Sequence, residues 1–318
     1  MTRMSGSLIR PLLATGATLA LATAVAACGS DDNKTSPSAS ASSAGSKSSQ
    51  VSCPNGKLTF GIEPYEDPAK LTPAYQTLAA ALQKKLGCTV DLKIVEDYTA
   101  EVLAMQNGKL DIAEFGPLGY VFAQRRAGAD AVASFADASG KLTTYTGGIW
   151  VPKDSPIQTI ADLKGKTLAL SEPGSTSGDA LPRKALKDAG IAESALKLDY
   201  AGGHPESMLA LTHGKVDAAE INSQTQASAG SQFDASKFRQ IWKSDPIPND
   251  PVTVRDSLDP KLKAAISGAL LGLSPADVAK VGAFLDVNPP GPMVKVDQAT
   301  YKPLFDLADS LGLTEKDV

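Results

Sequence analysis

Two seven-residue segments in different halves of the chain follow the same pattern. Residues 107–113 read Asn-Gly-Lys-Leu-Asp-Ile-Ala, and residues 213–219 read His-Gly-Lys-Val-Asp-Ala-Ala. In both segments a helical pattern ends at glycine, which tolerates the left-handed backbone of a helix C-terminus, and a strand pattern begins at once. Two copies of one helix-to-strand junction predict two similar α/β lobes.

Helix and strand patterns alternate between these segments and on both sides of them. Helical spacing of apolar residues covers 73–86, 98–106, 118–127 and 179–189, and short apolar runs predict strands at 58–62, 90–95, 110–113, 132–137, 147–151, 166–170, 196–200 and 216–219. Short connections between alternating elements are typical of a mostly parallel sheet flanked by helices. We expect such a sheet in each lobe and only helices after residue 258, over 259–271, 274–284 and 297–311.

The chain is expected to cross between the lobes twice, at 145–151 and 245–251. One lobe is predicted to contain residues 53–147 together with 249–318, and the other to contain residues 148–248. Two lobes joined by two crossings enclose a cleft, where small ligands bind, and they can close around the ligand by a hinge motion.

Composition excludes several classes of function. The 318 residues are 42% apolar, enough for full hydrophobic cores, and the net charge of −4 provides no surface for a nucleic acid. The two histidines and three cysteines follow no HExxH or paired CxxC pattern, so we expect neither a metal site nor a cofactor.

The N-terminus has the pattern of an export signal. Arg3 and Arg10 precede an Ala-rich apolar run over 12–27, which ends in Val-Ala-Ala directly before Cys28. It resembles a bacterial lipoprotein signal, which implies removal of residues 1–27, lipidation of Cys28, palmitate included, and attachment to the extracytoplasmic face of the cell membrane. The alternative is an ordinary secretory signal with an incidental cysteine. The Ser/Ala-rich residues 28–52 predict a flexible tether.

The other two cysteines are predicted to form a disulfide. Cys53 and Cys88 each precede a predicted strand, and export places them in an oxidising compartment. If the two strands are parallel neighbours, both cysteines lie at the same end of the sheet. In the chain-entropy description, closing a loop of this length stabilises the fold by roughly 3–4 kcal/mol.

Residues 172–178, Glu-Pro-Gly-Ser-Thr-Ser-Gly, lie between a predicted strand and a predicted helix. The free backbone N–H groups at a helix start, the hydroxyl groups and the helix dipole together form an anion site without lysine or arginine. The alternative is that Ser175 or Thr176 only caps the helix.

With these segments, residues 57–255 resemble the substrate-binding protein of phosphonate, phosphite and phosphate ABC importers, which has the two-lobed type II periplasmic binding fold. The segments that carry the resemblance are 58–62, 97–98, 109–113, 153–157, 174–178, 203–204 and 247–251. The resemblance implies a monomeric binding protein, not an enzyme, that captures a phosphorus oxyanion between its lobes and delivers it to an ABC permease and its ATPase.

The resemblance also implies roles for individual residues. Asp250 would accept a hydrogen bond from a protonated P–OH or from an amine of the ligand, and so disfavour sulfate, which has no donor near neutral pH. The other implied contacts are to ligand oxygens, from Ser175, Thr176, Ser177 and His204 in one lobe and from Tyr98 and Tyr145 opposite them.

Tyr65, Glu114 and Gln224 are additional candidates for ligand contact. Gln224 stands where relatives that bind aminoethylphosphonate have an acid, which argues against an amino-phosphonate. Glu114 and Glu220 follow predicted strands, where they would either contact a cation or form a salt bridge. The ligand is therefore open among phosphate, phosphite, methylphosphonate and larger phosphonates.

Two other functions fit parts of the pattern. The same fold could serve as a sensor or receptor domain for another small anion. A secreted hydrolase with Ser175, His204 and Asp250 is the alternative from another class, but the nucleophile motif G-x-S-x-G would need serine where Thr176 stands.

Overall fold

The computed structural model describes residues 52–314, so the predicted signal, Cys28 and nearly all of the tether lie outside the described residues. Within that range no single helix is long and apolar enough to cross a bilayer. One pair of helices, Pro260–Leu271 and Pro275–Phe284, reaches that length and composition together, with a bend of 84° between them.

Strands and helices alternate as the sequence predicts. The strands are β1 (Lys57–Ile62), β2 (Thr89–Ile94), β3 (Ile112–Glu114), β4 (Asp130–Asp137), β5 (Thr144–Tyr145), β6 (Gly148–Pro152), β7 (Thr167–Leu170), β8 (Lys197–Tyr200), β9 (Ala218–Glu220), β10 (Phe238–Lys243), β11 (Ile247–Pro248), β12 (Pro251–Val254) and β13 (Pro290–Val294). The helices are α1 (Pro68–Leu86), α2 (Tyr98–Gln106), α3 (Pro117–Ala127), α4 (Leu181–Asp188), α5 (His204–Thr212), α6 (Ser223–Ser228), α7 (Pro260–Leu271), α8 (Pro275–Phe284) and α9 (Lys302–Leu311).

Eleven of these strands form two similar sheets, and β5 and β11 pair in a separate two-stranded ribbon. One sheet has the order β13-β4-β12-β3-β1-β2 and the other the order β10-β6-β9-β7-β8. The two copies of the repeated segment lead into β3 and β9, which occupy equivalent positions at the centre of their sheets. Apart from the additional edge strand β13, each sheet therefore repeats the arrangement of the other.

Most strands of each sheet run in the same direction, as expected, but both sheets are mixed. β12 pairs antiparallel with β3 and β4, and β6 pairs antiparallel with β9 and β10. Each of these two strands follows a crossing between the lobes, so it begins at the edge of the sheet where its neighbours end. Val252 thus lies opposite Glu114, the last residue of β3, and Ile149 lies opposite Glu220, the last residue of β9.

Helices cover both faces of each sheet. In the first lobe, α1, α7 and α8 cover one face and α2, α3 and α9 cover the other, over two buried apolar clusters. In the second lobe, α4 and α5 cover opposite faces, so Leu168 and Leu170 point to one apolar cluster and Ala169 to the other.

Two elements differ from the predicted ones. Helix α1 begins at Pro68 rather than Pro73, because the Asp67 carboxylate accepts from the N–H of Ala69 and caps the earlier turn. The region after residue 258 also contains a strand, β13, which lies antiparallel to β4 at the edge of the sheet. An edge strand tolerates the prolines of β13, because N–H groups are not needed on its unpaired side. The same prolines make this segment look like a loop in the sequence.

Cys53 and Cys88 are joined by a disulfide bond. They precede β1 and β2, which are parallel neighbours with Lys57 opposite Thr89. The bond therefore ties the start of the described fold to the edge of the first sheet.

Candidate anion-binding site

About half of the residues that line a small cavity between the two sheets lie at the starts of helices. Because parallel strands end at the same edge of a sheet, the helices that follow them begin around one cleft. The lining residues at helix starts are Tyr98, Gly116, Ser175, Thr176, His204, Asn222 and Gln224, and the others are Glu63, Tyr65, Glu66, Tyr145, Thr225, Ser228, Asp250 and Phe284. None of these lining residues, all from the described part of the chain, is a lysine or arginine.

The serine turn starts a helix, as its sequence predicts. A π-helical turn, Thr176–Ala180, leads directly into α4, and the Ser175 hydroxyl accepts from the N–H of Gly178 at 3.1 Å. A Cβ atom at Gly178 would lie 1.7 Å from the Ser171 hydroxyl oxygen and 2.8 Å from Cε1 of His204. Glycine is therefore required for the turn to lie against the histidine.

His204 connects the serine turn to a buried acid. Its Nε2 lies 3.1 Å from the Ser175 hydroxyl oxygen, and its Nδ1 lies 3.0 Å from Oε2 of Glu220. Burial opposes protonation, but the negative charge and hydrogen bond of Glu220 outweigh it, and the pKa of His204 is raised. Glu220 therefore favours the protonated imidazole, which can donate toward the turn from Nε2. The acid that holds it is Glu220, whereas the hydrolase hypothesis assigned Asp250.

The opposite wall carries two carboxyl groups. Asp250 lies between β11 and β12, at the edge where β12 begins, and Glu63 directly follows β1 at the same edge. They are 4% and 2% exposed. Burial raises the pKa of Asp250 to about 7. Burial, with the charges of Glu101 and Asp250, also raises the pKa of Glu63 well above its ordinary range.

Glu63 was not among the residues selected from the sequence. The signal that could have found it is the one that identified Glu114 and Glu220, namely an acid directly after a buried strand. Its carboxyl group accepts a hydrogen bond from the backbone of Gly116 at the start of α3. The backbone N–H group at the start of α3 is thus already hydrogen-bonded to an acid of its own lobe.

The structure brings most of the predicted residues to the cavity. Ser175, Thr176, His204, Tyr98, Tyr145, Asp250, Tyr65 and Gln224 line it, whereas Ser177 and Glu114 do not.

Ser177 and Glu114 lie just behind the lining residues. The Ser177 hydroxyl accepts from Nδ2 of Asn222 at 3.1 Å. Glu114 accepts a hydrogen bond from the hydroxyl of Tyr75, which in turn lies 2.8 Å from the hydroxyl of Tyr65. These two side chains can thus influence the cavity only through the residues that they hold.

Hydrogen bonds join the lobes across the cleft. The N–H of Leu118 donates to the Thr176 hydroxyl at 2.9 Å, and the Tyr98 N–H donates to Glu172 at 3.3 Å. Tyr145 also forms a hydrogen bond with Thr176. The arrangement is closed, and the cavity volume is about 20 Å³, comparable to the space that one water molecule needs.

Comparison with known proteins identifies the family to which the chain belongs. The family model for periplasmic phosphonate substrate-binding proteins of ABC transporters matches residues 60–301. The chain belongs to this family. Binding proteins of this kind act outside the cytoplasm, and the resemblance seen in the sequence is confirmed.

Two relatives support the assignment. The phosphate-import protein PhnD of Mycolicibacterium smegmatis is 29% identical over 220 residues, which cover 64% of this chain and 68% of that protein. The phosphonates-binding periplasmic protein of Escherichia coli is 31% identical over 216 residues, which cover 66% and 64%. The alignments thus span about two thirds of these relatives.

Solved structures confirm the two-lobed type II periplasmic binding fold. PhnD1 from Prochlorococcus marinus, in complex with methylphosphonate, has a TM-score of 0.71 at 18% identity, covering 81% of this chain and 98% of that chain. A binding protein component of an ABC phosphonate transporter from Pseudomonas aeruginosa has a TM-score of 0.69 at 24% identity, covering 79% and 85%.

Proposed function

We propose that this phosphonate-binding family member captures a small phosphorus oxyanion in the cavity between its lobes and delivers it to an ABC permease. The observation that carries the proposal is the pairing of the two walls. One wall presents hydroxyl groups, an imidazole and helix starts to an anion, and the other presents carboxyl groups that can accept from a P–OH group. A phosphorus oxyanion that still carries a P–OH group satisfies both walls.

The residues that we assign to the ligand follow from this pairing. Ser175, Thr176 and His204 bind the unprotonated oxygens, and the hydroxyl groups of Tyr98 and Tyr145 support them from the other lobe. Asp250 accepts from the P–OH group. Ser177 contributes through the turn, and Tyr65, Gln224 and Glu114 shape the cavity wall or hold residues that do.

Sulfate is the informative comparison. It has the size and shape of phosphate, but near neutral pH it has no proton to donate to Asp250. Calorimetric titration with phosphate, phosphite, methylphosphonate, aminoethylphosphonate and sulfate tests the proposal. We expect heat of binding from at least one phosphorus oxyanion and none from sulfate, and sulfate binding without phosphorus-ligand binding would overturn it.

We further propose that the cavity performs no catalysis. Ser175 and His204 have the spacing of a nucleophile and its base, but a general base must be able to accept a proton. Glu220 raises the pKa of His204 and so favours the protonated imidazole, which has no lone pair to accept the serine proton. Incubation with chromogenic phosphate and carboxylate esters is expected to give no turnover above that of a Ser175→Ala variant.

The remaining parts of the proposal concern location. Cleavage before Cys28 and lipidation of its sulfur would hold the protein as a monomer on the outer face of the cell membrane, with residues 28–52 as a tether. The lobes would comprise 53–147 with 249–318 and 148–248. Mass spectrometry of the membrane fraction from the wild type and from a Cys28→Ala variant tests the anchor. Only the wild-type protein should carry acyl chains.

A further inference from the structure

Two oxygens in the cavity wall are buried and have no hydrogen-bond partner. They are Oε2 of Glu63 and Oδ1 of Asp250. Both residues line the same cavity, on the side opposite Ser175 and Thr176. Buried polar atoms in proteins are nearly always hydrogen-bonded, so an unpartnered pair on residues that line a cavity indicates the chemistry of what binds there.

No residue that the structure describes donates a hydrogen bond to Oε2 of Glu63. The other Glu63 oxygen is directed to the backbone of Gly116, where a Cβ atom would lie 2.7 Å from it. The charges that act on Glu63 are those of Glu101 on α2, Asp250 before β12 and Glu114 on β3, all of them acids. A hydrogen-bonding group of the ligand could serve as the partner of Oε2.

We propose that Glu63 is a specificity-determining residue that binds a second P–OH group, so that the preferred ligand is the dihydrogen phosphate monoanion. This inference rests on the proposed function. Asp250 takes one P–OH group and Glu63 takes the other, while the two unprotonated oxygens face Ser175, Thr176 and His204. A P–OH group both donates and accepts, so it pairs with Glu63 whether or not that carboxyl group is protonated.

The three smallest candidate ligands differ only at this position. As monoanions, phosphate, phosphite and methylphosphonate share two unprotonated oxygens and one P–OH group. Their fourth substituent is O–H, H or CH₃ respectively. Neither P–H nor P–CH₃ is an effective hydrogen-bond partner for a carboxyl group, so binding of phosphite or methylphosphonate leaves Glu63 buried and unpaired.

The test is calorimetric titration of the exported protein with the three ligands, at a mildly acidic pH where all three are monoanions. The wild type is expected to bind phosphate at least about tenfold more tightly than methylphosphonate or phosphite. Glu63→Met, which keeps the length of the side chain but removes its polar atoms, is expected to bring this ratio close to one. Glu63→Gln is expected to keep a preference for phosphate, because its amide still pairs with P–OH.

Glu101→Met is the matched control. Glu101 is also fully buried and both of its oxygens lack a partner, but it does not line the cavity. Its replacement is expected to leave the ligand ratio unchanged. Thermal unfolding of each variant verifies that it is folded.

The outcomes separate the two proposals. If the wild type binds none of the three ligands, the proposed function fails. If it binds them without preferring phosphate, or if folded Glu63→Met keeps the wild-type ratio, the role of Glu63 is overturned while the proposed function stands. If Glu63→Met does not fold, the proposed role of Glu63 is judged by the wild-type ratio of the affinity for phosphate to that for methylphosphonate or phosphite.

Discussion

The Thr176 hydroxyl accepts a hydrogen bond from the backbone N–H of Leu118, 2.9 Å away on the other side of the cleft. Thr176 opens the π-helical turn of one lobe, and Leu118 is the second residue of α3 in the other. The starts of two helices from different lobes thus face each other directly. A ligand oxygen that replaced this contact would receive a donor from each lobe.

Thr176→Ala is expected to weaken phosphate binding by about 1–3 kcal/mol, because a buried ligand oxygen loses its donor. Calorimetry measures the change. Thr212→Ala is the matched control, since the Thr212 hydroxyl bonds only to Leu209 within its own helix, and its affinity should equal that of the wild type. Unchanged affinity in Thr176→Ala would place the anion elsewhere.

Gly178→Ala is expected to disrupt both folding and binding. The added Cβ would overlap the Ser171 hydroxyl oxygen and press on His204. Gly268→Ala is the opposite case, because Gly268 lies within α7 with no heavy atom close to the added Cβ. There alanine should stabilise the helix by roughly 0.5–1 kcal/mol. Thermal unfolding and phosphate titration of both variants measure the contrast, and equal behaviour of the two would contradict it.

Unliganded protein is expected to lose stability as the pH rises from about 5 to about 8. Burial raises the pKa of Asp250 from 3.8 to about 7, so in this range the folded state holds a proton that the unfolded state has released. The contribution of Asp250 to stability is therefore fully present below its unfolded pKa and is lost as the pH rises through 7. Melting temperatures of the wild type and Asp250→Asn measure it, and the variant should show a flatter pH dependence. An equally steep profile in Asp250→Asn would assign the effect to other groups.

Reduction of the Cys53–Cys88 bond is expected to lower the free energy of unfolding by roughly 3–4 kcal/mol. Both cysteines lie at the end of the first sheet where β1 and β2 begin, whereas the cavity lies at the edge where the strands end. Phosphate affinity at room temperature should therefore persist in a Cys53→Ser, Cys88→Ser variant. Denaturant unfolding with and without reductant gives the stability change, and a matching loss of affinity would show that the bond also shapes the site.

Closure of the lobes is expected to follow ligand binding. Glu66 accepts from Ser228 across the cleft at 3.0 Å, and Glu172 accepts from the Tyr98 N–H. The radius of gyration from small-angle scattering should decrease when phosphate is added at saturation. Ser175→Ala, which weakens binding, should require a higher phosphate concentration for the same decrease. A radius that is insensitive to ligand would argue against a hinge.

The succession of elements could be predicted because it depends on local patterns. Apolar spacing and glycine stops placed most helices within a few residues, and the serine turn was recognised from hydroxyl groups at a helix start. The direction of β6 and β12 could not be predicted, because it depends on where the chain re-enters a sheet after crossing. β13 could not be predicted because prolines are typical of loops.

The site was predictable only in part for a similar reason. Ser175 and Thr176 lie in a segment whose own sequence indicates an anion site, whereas a role for His204 was implied only by the resemblance to the family. Glu63 carries no such local signal, since an acid after a strand is usually a solvated loop residue. Only the packing of β1 against β3, with α3 starting beside it, buries that carboxyl group. The pairing of His204 with Glu220 likewise depends on two strands and a helix meeting at one edge.

The short ribbon formed by β5 and β11 lies where the chain passes between the lobes, with Tyr145 paired to Ile247. Tyr145 also reaches Thr176 in the cavity wall. A ligand that displaces Tyr145 would therefore also move the crossing between the lobes. Ligand binding and the relative position of the lobes would then be coupled through Tyr145. A membrane partner could detect a filled cleft from the position of the lobes, without contacting the ligand.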